Sequence, residues 1–369
     1  MKRDLFASAG NGQAHMAEME SMMSPQELRA LLPQSGAAFH TVSKGRCVMR
    51  NILARRDPRL LVVVGPCSIH DPQAALEYAR RLRHLADEVA DTLFLVMRVY
   101  LEKPRTRIGW KGLINDPRLD NSCRIEQGMV LARQLLLEIN ELGVPAAIEA
   151  LDPLSPQYLH DLVSWAAIGA RTTESQPHRE LASILPFPVG FKNGTGGEVG
   201  MALNAIFAAA SAHAFLGIGD DGRAAILRSS GNAHGHLVLR GGSSGPNYDR
   251  VSVANATQAM QQAGLAANIV IDCAHANSNK NHLLQERVLQ DVVQQIVDGD
   301  QALVGVMLES FLESGQQDLA DRSQLRYGCS VTDACIDWPA TQTMLHAARQ
   351  HLQPQVAIKK RMMNESQYA

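Results

Sequence analysis

Short apolar runs alternate with longer amphipathic segments along the chain after residue 58. Near-continuous apolar runs are typical of parallel strands that are buried on both faces, and the longer segments have the period of helices. The apolar runs are Leu60–Gly65, Leu93–Val99, Pro145–Ala150, Trp165–Ala170, Pro188–Lys192, His236–Arg240, Ile269–His275 and Leu303–Glu309. Eight strand–helix units in 369 residues predict an α/β fold, a (β/α)8 TIM barrel, with an open doubly wound sheet as the alternative.

Helices are predicted between the strands and after the last of them. The segments are Asp71–Val89, Ser122–Leu142, Pro156–Trp165, Thr173–Leu185, Gly197–Ala214, Val253–Ala267, Lys280–Asp298 and Asp333–His351. An insertion at about residues 216–233 interrupts the alternation, and Ala224–Arg228 is predicted as an extra strand within it. Residues 59–369 therefore form the predicted barrel together with this insertion.

Residues 1–58 precede the barrel pattern and are predicted to form an N-terminal extension. Helices are predicted there over Met16–Met23 and Ser24–Leu32, and the second has a serine N-cap followed by a proline in its first turn. A further helical run ends at Asp57, where the following proline breaks the pattern.

Composition and charge exclude several classes of protein. Lys and Arg number 35, Asp and Glu number 37, and 46% of residues are hydrophobic, which is ordinary for a globular protein. A net charge of −2 argues against a general nucleic-acid binder. The sequence has no apolar run long enough for a membrane span or a secretory signal, and its six cysteines are scattered without a C-x-x-C pair. We therefore expect a cytoplasmic protein without nucleic-acid or membrane partners.

Basic residues follow or end most of the predicted strands, at the rim where barrel enzymes place their active sites. Gathering several cations in one cleft is costly unless anions offset them, so a cluster would predict substrates rich in phosphate and carboxylate. Each residue alone would more often be a solvated surface charge. The basic candidates are Arg98, Lys103, Arg105, Arg171, Lys192 and Arg240.

A second set of strand-end residues combines a thiol, an imidazole and two carboxylates: Cys67, His275, Glu309 and Asp333. This mixture of soft and hard donors suits a divalent transition metal such as Mn, Fe, Co or Zn better than calcium or magnesium. Each member also has an ordinary structural interpretation, such as a small buried hydrophobe for the cysteine or a helix cap for one of the acids. Their shared position at strand ends favours a metal site.

Several of these residues lie in longer motifs that resemble one enzyme family. The motifs are Gly65–Asp71 (GPCSIHD), Met97–Tyr100 (MRVY), Lys103–Thr106 (KPRT), Gly109–Pro117 (GWKGLINDP), Gly169–Ser175 (GARTTES), Gly190–Thr195 (GFKNGT), Leu239–Gly242 (LRGG), Ala274–Ser278 (AHANS) and Thr332–Cys335 (TDAC). In order and spacing, roughly residues 58–350 resemble the class I 3-deoxy-D-arabino-heptulosonate 7-phosphate (DAHP) synthases of the type regulated by aromatic amino acids.

The resemblance implies a barrel enzyme that condenses phosphoenolpyruvate with erythrose 4-phosphate and water, giving DAHP and phosphate at the entry to the shikimate pathway. It implies a divalent metal held by Cys67, His275, Glu309 and Asp333. It also implies phosphoenolpyruvate contacts from Arg98, Lys103, Arg171, Lys192 and Arg240, and contacts to the erythrose phosphate from Arg105 and Thr106. Lys103, Cys67 and His275 are the implied catalytic residues.

Some alternatives stay open at this point. A 3-deoxy-octulosonate 8-phosphate synthase would share the barrel and the phosphoenolpyruvate site, and a non-catalytic regulatory paralogue would share the fold. Arg107 and Gly196 stand where relatives commonly have Thr and Asp. By resemblance, the extension and the extra strand help to form an effector site and the contacts of a homodimer or homotetramer, but which aromatic amino acid inhibits is left undecided.

Overall fold

The computed structural model describes residues 19–105, 108–319 and 322–366. Its eight parallel strands close into a barrel, which confirms the predicted (β/α)8 fold over the open sheet. The barrel strands in order around the ring are β1 (Leu60–Gly65), β2 (Leu93–Arg98), β3 (Ala146–Glu149), β4 (Trp165–Ile168), β5 (Val189–Lys192), β8 (Gly235–Leu239), β9 (Ile269–Asp272) and β10 (Leu303–Glu309). The first and last strands pair in parallel from Leu61 opposite Gly305 to Gly65 opposite Glu309.

Helices surround the barrel and the extension precedes it. They are α1 (Pro25–Leu31), α2 (Gly36–Leu53), α3 (Pro72–Glu88), α4 (Ile125–Glu141), α5 (Ser155–Leu159), α6 (Gln176–Ile184), α7 (Gly200–Ala209), α8 (Arg250–Gln262), α9 (Gln285–Val297) and α10 (Trp338–Ser366). Short 3-10 helices lie at His160–Leu162, His282–Leu284 and Arg322–Gln324. Within the described part of the chain, no helix combines the length and the apolar character that crossing a membrane requires.

The barrel strands are apolar on both faces because each face packs against a different layer. In β1, Leu61 and Val63 belong to the cluster inside the barrel, whereas Val62 and Val64 pack with the surrounding helices. All six residues of β1 are buried, so no polar position interrupts the strand. Successive side chains of a strand point to opposite faces, and here both faces exclude water, which explains the continuous apolar run in the sequence.

The extra strand is confirmed as β7 (Ala224–Ser229), and it pairs antiparallel with β6 (His213–Ile218) in a two-stranded sheet outside the barrel. The prediction that a helix continues to Ala214 is wrong, because α7 ends at Ala209 and β6 follows. Side chains of β6 alternate between partly buried and exposed over most of its length. A strand with only one face covered lacks the continuous apolar run that marks the barrel strands.

The start of α1 follows the predicted cap. The Ser24 hydroxyl accepts the backbone N–H of Glu27 at 3.2 Å, and a carboxylate oxygen of Glu27 accepts the backbone N–H of Ser24 at 2.7 Å, which is a complete capping box. The predicted helix Met16–Met23 is wrong over residues 19–23, which have no helical structure, and residues 16–18 lie outside the described residues. The backbone N–H of Met23 is instead donated to a carboxylate oxygen of Glu126 at 2.8 Å, so this segment is held by α4.

The last helix differs from its prediction at both ends. Asp333 does not open it, since α10 begins at Trp338. The helix continues past the predicted end at His351 and includes Pro354. Arg349 forms a bidentate contact with the carboxylate of Asp91, at 2.7 and 2.8 Å, which attaches α10 to the barrel. Tertiary contacts of this kind stabilise a helix that local sequence signals would end.

Candidate active site

A cavity of about 670 Å³ opens at the carboxyl ends of the barrel strands. This is the rim where the sequence predicted a site, because parallel strands deliver their last residues to one end of a barrel. The predicted site residues that line the cavity are Lys103, Arg105, Arg171, Lys192, Arg240, His275, Glu309 and Asp333. Cys67 and Arg98 are fully buried beside it and contact lining residues, whereas Thr106 and Arg107 lie outside the described residues.

Three of the four predicted metal ligands meet closely. One ligand atom each from Cys67, Glu309 and Asp333 lies within 4.8 Å of the other two, and the Cys67 sulfur is 3.3 Å from Oδ2 of Asp333. His275 adjoins this group, with its Nε2 atom 3.9 Å from Oε1 of Glu309, but it is not among the three. The structure therefore brings together a thiol, two carboxylates and a nearby imidazole, as the sequence predicted.

The electrostatics of this group suit a divalent cation. Burial raises the pKa of the Cys67 thiol, the carboxylates of Glu309 and Asp333 add to the rise and the Lys103 ammonium opposes it, so that the pKa lies at about 12. A thiolate is costly there unless a positive charge adjoins it, and thiolate is the form in which cysteine binds a metal. A divalent transition metal would supply that charge and is compatible with this donor set.

Three predicted phosphoenolpyruvate contacts are cations that are buried or nearly so, and each touches an acidic group. Arg98 is fully buried, and its Nη2 atom lies 2.9 Å from Oε1 of Glu309. The ammonium of Lys103 lies 2.7 Å from the Cys67 sulfur and 3.1 Å from Asp333. The third is Lys192, which is 4% exposed and approaches the carboxylate of Asp272 to 3.3 Å. These pairs offset the cost of burying the cations.

Asp272 is a member of this site to which the sequence analysis gave no role. It is the last residue of β9 and is fully buried, and its Oδ2 atom lies 3.0 Å from Nδ1 of His275. Burial opposes the charge of this carboxylate, but His275 and Lys192 outweigh it and hold the pKa of Asp272 well below its usual range. The backbone of His275 is left-handed, with φ of 53°, an uncommon conformation for a non-glycine residue. Nδ1 of the ring thus faces a buried carboxylate at ion-pair distance.

Two further residues that sequence reasoning missed support the predicted arginines. The ring of Tyr100 lies under the guanidinium of Arg98, whose carbon is 4.1 Å from the ring centroid. Asn193 is fully buried, and its side-chain oxygen accepts the backbone N–H of Arg240 at 2.8 Å. Both residues lie in the motifs that carry the family resemblance, but neither is charged, so a search for charged residues at strand ends did not find them.

The outer part of the cavity is more open. Arg105 and Arg171 are exposed, whereas Arg240 is partly buried. Gly196, one of the departures from the family pattern, leaves little room for a larger residue, since a Cβ atom there would lie 2.3 Å from the carboxylate of Glu198. An aspartate at this position would require the Glu198 side chain to move.

Comparisons with known proteins agree with the barrel fold and identify the family. A family model described as the DAHP synthetase I family matches residues 33–346. The chain belongs to this family. Two relatives are 52% identical: the Tyr-sensitive phospho-2-dehydro-3-deoxyheptonate aldolase of Salmonella typhimurium, with 93% of this chain and 97% of the relative covered, and the Phe-sensitive enzyme of Escherichia coli, with 91% and 95% covered. A solved phospho-2-dehydro-3-deoxyheptonate aldolase from Francisella tularensis superposes with a TM-score of 0.90 at 44% identity, covering 92% of this chain and 98% of that one.

Membership of the DAHP synthetase I family confirms the resemblance drawn from the sequence motifs and agrees with the closed barrel. It does not by itself test the role of any single side chain. The assignments to the metal, to phosphoenolpyruvate and to the erythrose phosphate therefore stay predictions, now with the geometry described above.

Proposed function

We propose that this chain condenses phosphoenolpyruvate with D-erythrose 4-phosphate and water to give DAHP and inorganic phosphate, the first step of the shikimate pathway. The observation that supports this most strongly is the strand-end cavity, where phosphate-binding cations adjoin a group of metal-ligand side chains. The names of the relatives agree, since they are phospho-2-dehydro-3-deoxyheptonate aldolases at 52% identity over most of their length.

The cations in and beside the cavity would bind and orient phosphoenolpyruvate. Its phosphate and carboxylate carry several negative charges, and we assign them to Arg98, Lys103, Arg171, Lys192 and Arg240. Arg105 and Thr106 are assigned to the phosphate of erythrose 4-phosphate. Two anionic substrates repel one another, so a cavity lined by fixed cations lowers the cost of holding them within reacting distance.

The reaction itself joins the third carbon of phosphoenolpyruvate to the aldehyde carbon of erythrose 4-phosphate. Water then adds at the second carbon of phosphoenolpyruvate, and phosphate leaves as its C–O bond breaks. A divalent metal held by Cys67, His275, Glu309 and Asp333 would supply Lewis acidity toward the aldehyde oxygen. Lys103 contacts both Cys67 and Asp333, and although burial lowers its pKa, the negative charges around it outweigh burial and raise the pKa, so Lys103 stays an ammonium. We assign this ammonium to binding both substrates, and the alkoxide that develops on the aldehyde oxygen is basic enough to take a proton from it.

We also propose inhibition by an aromatic amino acid, and a homodimer or homotetramer as the assembly. The described part of the N-terminal extension contacts the turn between β6 and β7: Arg29 forms an ion pair with Asp220 at 2.6 Å, and the carbonyl of Asp220 accepts the backbone N–H of Gln26 at 2.8 Å. Leu216 and Ile226 lie opposite each other in that sheet and are 84% and 67% exposed. This exposed apolar pair supports a subunit contact.

The test is a turnover assay of the purified chain with Mn²⁺ and both substrates, repeated after chelation and with each aromatic amino acid. We expect DAHP and phosphate in equal amounts, activity that chelation removes and metal restores, and inhibition by at least one amino acid. A preference for arabinose 5-phosphate over erythrose 4-phosphate would favour the octulosonate alternative. A folded chain without turnover would favour the regulatory paralogue.

A matched pair of variants tests the cavity assignment. Lys103→Met should lower turnover at least about 100-fold, since it removes a charge that contacts both substrates. Lys44→Met serves as the control, because Lys44 is exposed on α2, outside the cavity. Equal turnover of the two variants would contradict the assignment of the active site.

A further inference from the structure

One carboxylate oxygen connects the two halves of the proposed site. Oδ2 of Asp272 lies 3.3 Å from the ammonium of Lys192 and 3.0 Å from Nδ1 of His275. The other oxygen, Oδ1, accepts the backbone N–H of Ala274 at 3.1 Å, which fixes the plane of the carboxylate. Lys192 is assigned to phosphoenolpyruvate and His275 to the metal, so a single fully buried atom contacts a member of each set.

The contact with His275 determines which ring nitrogen is available. An ionised carboxylate 3.0 Å from Nδ1 favours the form of the ring in which Nδ1 carries the proton, because a lone pair there would be repelled by Oδ2. The lone pair is then on Nε2, the atom that lies 3.9 Å from the carboxylate of Glu309 and faces the metal-ligand group. A carboxylate behind a histidine also makes the imidazole a stronger donor to a metal.

The other connections between the two sets differ from this one. Arg98 contacts Glu309 directly, and Lys103 contacts Cys67 and Asp333 directly, so changing any of them removes a proposed ligand or a proposed substrate contact. Asp272 belongs to neither set. Among the described residues it offers a way to alter the connection while every assigned ligand and substrate contact remains.

We propose that Asp272 is a positioning residue that couples the metal site to the phosphoenolpyruvate site, so that binding at either site raises the affinity of the other. The proposal rests on the proposed function for its two ligands. A cation at Nε2 would increase the positive charge of the His275 ring and strengthen its attraction to Oδ2. The shared carboxylate would then hold Lys192 less tightly and release its ammonium for an anion.

Binding of phosphoenolpyruvate would act on the metal site in turn. Phosphoenolpyruvate would draw the Lys192 ammonium away from Asp272, and the carboxylate would then be left to His275 alone. The ring would become a better donor at Nε2, and the metal would be held more tightly. Coupling between two binding equilibria is reciprocal, so both measurements must give one factor.

The experiment measures binding, without turnover. Co²⁺ serves as the metal, because its absorption spectrum reports thiolate and imidazole coordination, and calorimetry gives the dissociation constant of phosphoenolpyruvate with and without Co²⁺. The ratio of those two constants is the coupling factor, and for the wild-type protein we expect it to be at least about 5. Asp272→Asn should weaken Co²⁺ binding by about 10- to 100-fold and lower the coupling factor toward 1.

Two controls separate coupling from loss of structure. Asp87→Asn changes an exposed α3 carboxylate and should leave both the Co²⁺ affinity and the coupling factor as in the wild type. A variant that is merely destabilised would bind both ligands more weakly in proportion, with an unchanged ratio and a lower melting temperature. On a Lys192→Met background, Asp272→Asn should cause no further change in the coupling factor, because the connection is already broken.

Several results would overturn the proposal. A folded Asp272→Asn protein with the wild-type coupling factor would do so. If that variant does not fold, the wild-type protein still decides, since a coupling factor of 1 in the wild type rules the coupling out. A wild-type chain that turns over both substrates but has a coupling factor of 1 would refute the coupling and leave the proposed function intact. Failure to bind phosphoenolpyruvate at all would instead reject the proposed function.

Discussion

A buried carboxyl group next to the active site should give this protein an unusual dependence of stability on pH. Glu102 precedes Lys103 and is 5% exposed, and its carboxylate accepts a hydrogen bond from the Ser155 hydroxyl at 2.7 Å. Burial and the negative charges of Asp152 and Glu149 outweigh the hydrogen bond from Ser155 and raise the pKa of Glu102 from 4.5 to about 7. The folded protein therefore keeps this proton over a range of pH in which the unfolded chain has lost it.

The sign and size of the effect follow from linkage. Between pH 4.5 and about 7 the folded state binds more protons at Glu102 than the unfolded state does, so this group makes the protein less stable as pH rises. The stability contributed by the neutral carboxyl is fully present below pH 4.5 and is lost by about pH 7. At about 1.4 kcal/mol per pKa unit, the loss is at most about 3 kcal/mol.

The substitution Glu102→Gln tests this, because it keeps an acceptor for Ser155 and removes the charge. We expect the variant to match the wild type at pH 5 and to be more stable at pH 8 by up to about 3 kcal/mol, measured by urea unfolding. Glu141→Gln, at an exposed position next to the end of α4, is the control and should change stability little at either pH. Equal stability of the Glu102→Gln protein and the wild type at pH 8 would refute the reasoning.

Three other predictions use features outside the cavity. Arg133 is fully buried and binds both carboxylate oxygens of Asp161 at 2.8 Å, so Arg133→Met should lower the free energy of unfolding by about 3 kcal/mol; a loss below about 1 kcal/mol would contradict this. Burial lowers the pKa of His236 to about 4, so the free energy of unfolding of the wild type should fall by up to about 3 kcal/mol as the pH falls from 6.5 toward 4. His236→Gln should make the free energy of unfolding depend less on pH in this range. The same pH dependence in both proteins would contradict this prediction. Gly112 has φ of 112°, and a Cβ atom there would lie 2.3 Å from a backbone oxygen, so Gly112→Ala should lower the free energy of unfolding by at least about 2 kcal/mol. The control Gly264→Ala, at φ of 70° with open space around the Cβ position, should lower it by about 1 kcal/mol. Equal losses in thermal unfolding would show that the contact at Gly112 is unimportant.

The barrel could be predicted from the sequence because its strands exclude water on both faces. In the run Leu60–Gly65 every residue is apolar for this reason, and the run forms β1 with the predicted bounds. The β6 strand could not be recognised in the same way, because only one of its faces is covered and its residues continue an alanine-rich helical pattern. Its identity depends on pairing with β7, a contact that local sequence does not encode.

The convergence of the site residues could also be predicted from the sequence, but the contacts of individual side chains could not. Charged and metal-binding residues at strand ends converge wherever the strands close, which is why Lys103, Cys67 and Asp333 meet. Asp272 was missed in its connecting role, since the sequence places it at a strand end but does not indicate which neighbours share its oxygen. The length of α10 was missed because its attachment to Asp91 is tertiary.

Closure of the barrel has a consequence for how the chain resists unfolding. Cys67 and Asp333 are 266 residues apart in sequence, yet the sulfur and the carboxylate oxygen are separated by 3.3 Å. Glu309 lies in β10, at the seam where the last strand meets the first. A ligand bound by all three would hold the first and last strands together, because separating them would release a loop of most of the polypeptide. A chain shortened before Asp333 would lack one of the three groups and could not be held in this way.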